Sequence, residues 1–209
     1  LARHKRNRRP LEASVATYIV GEVLDGLDFA YRLHDGHGFP LGLVHRDLAP
    51  KNVFVRYDGQ VRVGDFGSAT ATLSEPESNV VVGSIGYMSP EQARAEPLDA
   101  RSDVYAAGLL LFEMLTGLPA FDVEGKRDAA VLKMHQRGQM RAIPASVADD
   151  LRLVIEIATS PDREDRYKSA RDMRVGLLQT DTPPDPRSAA ALAEIVRMLF
   201  AEEFRATRL

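Results

Sequence analysis

The chain has 209 residues, of which 44% are hydrophobic and 27% charged, with a formal net charge of −3. That length makes one large or two small domains with a substantial core, and an ordinary apolar fraction with so small a net charge excludes a disordered chain. Collagen-like, coiled-coil and low-complexity classes are excluded too. The absence of cysteine rules out disulfides and thiolate metal sites and fits a reducing, cytoplasmic compartment.

The first ten residues carry Arg3, Lys5, Arg6, Arg8 and Arg9, with no acid and no apolar stretch behind them, so they do not form a signal peptide. The remainder holds 22 basic against 30 acidic groups. A basic arm can touch nucleic acid or anionic lipid. A short cluster without interleaved aromatics reads instead as a solvated loop before a helix, and no nucleic-acid partner is expected. A chain that starts with Leu1 rather than Met reads as a piece of a longer protein.

In chain order, Leu11, Val15, Ile19, Val23, Leu27, Ala30 and Tyr31 recur at helical spacing and predict a helix over 11–33. Pro10 is its start signal, and Gly36, Gly38 and Pro40 follow its end. His45-Arg46-Asp47 lies in a loop that contains Pro50. Val53-Phe54-Val55 and Val61-Arg62-Val63 flank Tyr57-Asp58-Gly59-Gln60, a short hairpin around an Asp-Gly turn. Residues 65–90 lack periodicity and are rich in Ser, Thr, Gly and Glu, as in a long functional loop.

Helical patterns follow at about 91–95, 102–117, 126–137, 147–159 and 168–179. The longest apolar run, Val104–Phe112, is nine residues and stops at Glu113, too short to span a bilayer. Thr182-Pro183-Pro184-Asp185-Pro186 is a linker. A last amphipathic helix over about 188–206 puts Leu192, Ile195, Leu199 and Phe204 on one face, and its mixed polar face favours packing on the domain over membrane contact. The expected class is mainly α with one small β-hairpin and no internal repeat.

The chemistry concentrates in His45-Arg46-Asp47-Leu48-Ala49-Pro50-Lys51-Asn52 and Asp65-Phe66-Gly67. Asp47 precedes Asn52 by five and Asp65 by eighteen, with the hairpin between, so two carboxylates and an amide can return to one place. Hard oxygen ligands on a loop and a strand end suit Mg²⁺ bound to phosphates, and Asp47 is left free to orient a hydroxyl. Asp-Phe-Gly alone is weak evidence.

Together these segments resemble the catalytic loop and metal loop of eukaryotic-like protein kinases. The pattern continues in order. Gly83-Ser84-Ile85-Gly86-Tyr87-Met88-Ser89-Pro90-Glu91 is similar to the end of the family's activation segment. Asp103-Val104-Tyr105-Ala106-Ala107-Gly108 is similar to the start of the central helix of the large lobe, and Arg166 falls where the family places the partner of Glu91. The loop 35–42 and the tail helix resemble bacterial, Hanks-type members.

The resemblance implies a kinase large C-terminal lobe over 1–180: catalytic loop 45–52, metal loop and activation segment 65–91, helical subdomain 91–180. The linker is then 181–187 and the C-terminal helix 188–209. It implies ATP with Mg²⁺, or Mn²⁺, as cofactors and a protein as substrate. Asp47 takes the place of the base that receives the substrate hydroxyl, and Asn52 and Asp65 the places of the metal ligands. Phe54 falls where an apolar floor lies under the adenine. Arg46 stands where an arginine pairs with a phosphorylated activation loop, with Ser68, Thr70, Thr72, Ser74 and Ser78 as candidate sites. Asp103 is implied to hold the catalytic-loop backbone, where the plainer reading is an N-cap. Glu91 with Arg166 is implied to be a buried pair, where the plainer reading is a surface contact.

There are departures. The Ser/Thr branch has Lys two residues after the base, where this chain has Ala49; Lys51, four after, resembles the tyrosine-specific branch. The segment from Gly83 to Glu91 resembles the Ser/Thr branch, with Ser84 for the usual Thr, and Ser/Thr specificity is favoured. No G-x-G-x-x-G follows a strand and no strand lysine is present, so the small lobe that covers the nucleotide is missing and the chain alone is expected to be inactive. The expected missing partner is that small lobe in a longer protein, which could itself be membrane-anchored. The alternatives are a pseudokinase-like or truncated binding module without catalysis, and a helical interaction domain unrelated to kinases. His34 and His37, without carboxylate support, read as a solvated loop rather than a metal site.

Overall fold

The computed structural model describes residues 9–66, 84–123 and 125–206. Helix α1 (Ala13–Tyr31) starts two residues later than the pattern suggests, because the Leu11 amide donates to the Met114 carbonyl (2.7 Å) instead of entering the helix. Its buried stripe holds Val15, Ile19, Val20, Val23, Leu24 and Leu27. The loop beyond it is shaped by Asp35, whose Oδ1 accepts the backbone N–H of His37 (2.8 Å) and of Phe39 (2.9 Å). His34 and His37 are exposed there, and among the described residues no group of three or more His, Cys, Asp or Glu is placed to hold a metal.

Strands β1 (Val53–Val55) and β2 (Val61–Val63) pair antiparallel in the expected hairpin, with Val53 opposite Val63 and Val55 opposite Val61. The turn needs Gly59, whose φ of +86° few other residues tolerate. Two strands alone are marginally stable. Here Val53 and Val61 join the main core and β2 rests on α1.

The helical body follows as α2 (Pro90–Ala93), α3 (Ala100–Thr116), α4 (Asp128–Gln136), α5 (Asp149–Ala158) and α6 (Ala170–Leu178). Helix α3 is the axis: every residue from Ser102 to Met114 is buried, and α1, α5 and α6 all pack on it. Asp99 caps it by accepting the Arg101 amide (2.8 Å), and Gly117 at φ +71° ends it. Where α3 crosses α5, a Cβ on Gly108 would lie 2.8 Å from Ala158 Cβ and 2.8 Å from Thr159 Cγ2. Gly108→Leu is therefore expected to force the two helices apart and cost about 3 kcal/mol, read as a lower urea midpoint at unchanged slope.

The tail corrects one expectation. The single helix expected over 188–206 is two, α7 (Ser188–Leu199) and α8 (Ala201–Ala206), broken at Phe200 (φ −124°, ψ 39°). Leu192, Ala193 and Val196 are its buried face, and α7 packs on α1. Among the described residues no helix is long and apolar enough to cross a membrane.

Candidate active site

The loop between α1 and the hairpin is held from below by α3. Asp103, in the first turn of α3, accepts the backbone N–H of His45 at Oδ2 (2.7 Å) and of Arg46 at Oδ1 (3.0 Å). Asp99 is the cap, which leaves Asp103 for the loop. Arg46 sits at φ +67°, a strained conformation that these bonds hold in place. Burial pushes the Asp103 carboxyl up, and the two donated amides oppose it.

His45 is fully buried and links the loop to the hairpin. Its Nδ1 accepts the Asp47 amide (3.3 Å), so the proton resides on Nε2, which donates to the Gly64 carbonyl (3.0 Å). The Gly64 amide in turn donates to the Asn52 carbonyl (3.0 Å). Gly64 is thus pinned from two sides, and the next residue is Asp65, at φ +63°. Phe66 closes the turn with its ring 4.5 Å from the His45 ring.

Asp47, Lys51 and Asn52 are in direct contact. Lys51 Nζ lies 2.7 Å from Asp47 Oδ2. Asn52 Nδ2 donates to the Asp47 carbonyl oxygen (2.7 Å) and to its Oδ2 (3.2 Å). The Ser84 amide donates to Asp47 Oδ1 (2.6 Å), joining a residue 37 positions further along the chain to the same carboxylate. Burial would raise the Asp47 carboxyl, but hydrogen bonds from Lys51 and Ser84 and the Lys51 charge outweigh it and hold it below the usual carboxylate value. Asp47 is therefore ionised at neutral pH and aimed from both oxygens.

The donor set fits a hard cation. A carbonyl oxygen only accepts, so the Asn52 amide nitrogen must face Asp47 and its Oδ1 is turned away, free to ligate. Asp65 is exposed and follows Gly64, whose amide is bonded to the Asn52 backbone. Among the described residues no hydrogen bond or ion pair joins the Asp65 carboxylate to Asp47 or Asn52; the backbone bond of Gly64 to Asn52 links their segments. Phe54 is 54% exposed, and its ring lies so close to Gly64 that a Cβ there would come within 2.7 Å of it.

Below the loop, Glu91 and Arg166 form the expected buried pair, bidentate at 2.7 and 2.9 Å. Arg166 also donates to the carbonyls of Ser160 (2.7 Å) and Arg101 (3.1 Å) and stacks on Tyr105 (4.7 Å). Burial raises the Glu91 carboxyl, and the Arg166 hydrogen bonds and charge reverse that and hold it low.

Several supporting residues escape the sequence reading. Ser102 donates to Glu91 Oε1 (2.7 Å), and the Tyr87 hydroxyl donates to Glu113 Oε2. Gln92 Nε2 donates to the Arg46 carbonyl (2.6 Å). A readable signal did exist for one of them: Ser89-x-x-Gln92 is a capping box, and both of its bonds form. His135, whose pKa burial pushes down to about 4, stacks on Phe121 and faces the backbone of Ile85 and Met88. Gly67, Gly83, the candidate phosphosites Ser68, Thr70, Thr72, Ser74 and Ser78, and the arm residues Arg3 to Arg8 lie outside the described residues.

Residues 1–195 match the family described as protein kinase domain. A tyrosine-protein kinase, MasK of Myxococcus xanthus, is 37% identical over 175 residues, 81% of this chain and 26% of that protein. A serine/threonine-protein kinase, PknB of Mycobacterium leprae, is 33% identical over 196 residues, 90% of this chain and 30% of that protein. A probable serine/threonine-protein kinase PknB of Lactococcus lactis is 36% identical over 198 residues, with shares of 92% and 30%. The chain thus spans between 26% and 30% of the length of these relatives.

Proposed function

The chain belongs to the protein kinase family, in its bacterial Hanks-type branch, and from that premise we propose that it is the large catalytic lobe of a Ser/Thr kinase. Residues 1–180 form that lobe, 181–187 link it to the tail, and a small lobe covering the nucleotide completes it in a longer protein. The observation that carries the reading is the contact set at Asp47: a carboxylate held ionised by Lys51 and Ser84, touched by Asn52, one backbone step from Asp65.

Asp47 receives the hydroxyl of the protein acceptor through a hydrogen bond and aims it at the γ-phosphorus of ATP. Its depressed pKa makes it an orienting group more than a strong base. The acceptor oxygen forms its bond to phosphorus as the bond to the ADP oxygen breaks, and the hydroxyl proton passes to Asp47. Lys51, 57% exposed on a flexible stem, can turn from Asp47 to the transferring phosphoryl group. Asn52 Oδ1 and the Asp65 carboxylate would hold Mg²⁺, which would neutralise charge on the phosphate oxygens. Phe54 offers an apolar surface to the adenine, and Arg46 awaits a phosphorylated activation segment.

Ser/Thr specificity is supported by the two PknB relatives and by the run from Ser84 to Glu91. Lys51 and the MasK relative favour tyrosine as the second reading. The chain preceded by its own upstream sequence, given γ-labelled ATP and a mixed protein substrate, is expected to yield phosphoserine or phosphothreonine on amino-acid analysis. Label on tyrosine alone overturns the specificity, and no label overturns the activity. The 209-residue chain alone is expected to show no rise in melting temperature with Mg·ATP at millimolar levels. A clear rise, which mass action gives whenever ligand exceeds Kd, would overturn the need for a second lobe.

A further inference from the structure

Besides the packing of α7 on α1 through Leu192, Ala193 and Val196, the segment from Asp181 onward makes five specific contacts among the described residues, and three of them meet the tip of the hairpin. Asp181 donates its amide to Asp150 Oδ2 (2.6 Å). Pro184 lies so near Gly21 that a Cβ there would come within 2.8 Å of it. The Ala189 carbonyl then seats against Gly59, leaving no room for a side chain at the turn. Arg197 Nε donates to the Tyr57 carbonyl (3.0 Å), and the Phe204 ring packs on the Tyr57 ring (4.8 Å) with the Arg197 guanidinium over it (5.6 Å). On the other side of the turn, Tyr18 of α1 donates its hydroxyl to the Gly59 carbonyl (3.4 Å).

We propose that helices α7 and α8 are a positioning element for the nucleotide–metal site, gripping the tip of the hairpin whose base carries Asn52 and Asp65. Each strand is three residues long. Asn52 directly precedes β1, and Asp65 follows β2 by two residues. A two-stranded ribbon this short has little stability of its own: Val53 and Val61 seat one face of it in the core, and the tail contacts are what hold its tip. The Val53–Val63 pair and the Gly64 amide bond to Asn52 are the last rungs before the two ligand residues. Held between Tyr18 and the tail, the ribbon keeps one register, and the separation of Asn52 Oδ1 from the Asp65 carboxylate is fixed. Arg197 and Phe204 are then positioning residues: they act through the hairpin and touch no substrate.

This rests on the kinase reading only in naming Asn52 and Asp65 as the metal-holding groups. The first test needs no activity. In the 209-residue chain carrying Arg197→Ala with Phe204→Ala, the amides of Val63 and Gly64 are expected to exchange hydrogen about tenfold faster, while the amides of α3 keep their rates. Arg197→Lys, which keeps a donor for the Tyr57 carbonyl, is expected to stay near the parent rate. Acceleration confined to residues 56–60 and 188–206, or spread equally into α3, overturns the proposal. The second test uses the chain completed by its upstream sequence. There the double variant is expected to raise KM for Mg·ATP several-fold, with KM for the protein acceptor unchanged. Equal rises in both constants, or none, overturn it. If the completed parent protein transfers no phosphate at all, the kinase reading fails, and the exchange result still decides whether the tail sets the hairpin base.

Discussion

Asp47→Asn in the completed kinase is expected to lower phosphate transfer from ATP by about 10²–10⁴-fold, the usual worth of a positioned acid–base group, with the melting temperature nearly unchanged. The amide keeps the size and shape of the carboxylate but not its charge. It also carries only one acceptor oxygen, whereas Asp47 presents one oxygen to the Ser84 amide and the other to Lys51 and Asn52. Whichever way the amide turns, one of those donors meets an NH₂ group. The acceptor hydroxyl loses the anion that aims it, and Lys51 loses its resting partner. The fold survives because the loop is hung from Asp103 and His45, not from the Asp47 side chain. Transfer within tenfold of the parent would remove Asp47 from the chemistry. Loss of transfer with collapse of the melting transition would show a structural role instead.

The sequence makes the helices and the hairpin legible because each buries a regular stripe. The period of α1 and the Asp-Gly turn are local signals that tertiary contacts reinforce. The ends of elements are less legible, since a distant group decides them: the Met114 carbonyl takes the Leu11 amide and delays α1, and a change of backbone angle at Phe200 splits the tail. At the site, the spacing of Asp47 and Asn52 is enough to anticipate their meeting, because five residues with Pro50 between them close a tight turn. The linkage of His45 through Gly64 to Asn52 is not legible. It is made by backbone groups, which every residue carries, so no residue type announces it. Ser102 and Tyr87 are hidden for a related reason: a hydroxyl on a buried helix or a 3₁₀ turn signals nothing until its carboxylate partner is placed beside it. The grip of the tail on Tyr57 and Gly59 joins segments about 140 positions apart and has no sequence signature beyond the glycine.

Arg166→Ala is expected to destabilise the chain by about 3–5 kcal/mol, the cost of stranding a buried charge. Side chains of Arg166 and Glu91 are 0% and 3% exposed, so water cannot replace the lost partner. Ser102 and the Glu91 backbone amide remain to satisfy the carboxylate, and the carbonyls of Ser160 and Arg101 each lose a donor as well. The pH dependence separates this account from simple loss of packing. In the parent chain, the folded Glu91 carboxyl lies below its unfolded value, so the pair's stability is fully present above the ordinary carboxylate range. It is lost as the pH falls through the depressed folded value. Without Arg166, burial outweighs the remaining hydrogen bonds from Ser102 and the backbone, and the folded carboxyl rises above its unfolded value. The sign then reverses: the variant is penalised at neutral pH and recovers part of its stability as the pH falls and Glu91 takes up a proton. Urea unfolding at neutral pH and at the lower edge of the carboxylate range is expected to show the gap between parent and variant narrowing in acid. The double variant Glu91→Gln with Arg166→Met, which removes both charges, is expected to lie between the two at neutral pH and to lack this pH dependence. A gap that is the same at both pH values would mean that Arg166 acts by filling space over Tyr105 and not by neutralising Glu91.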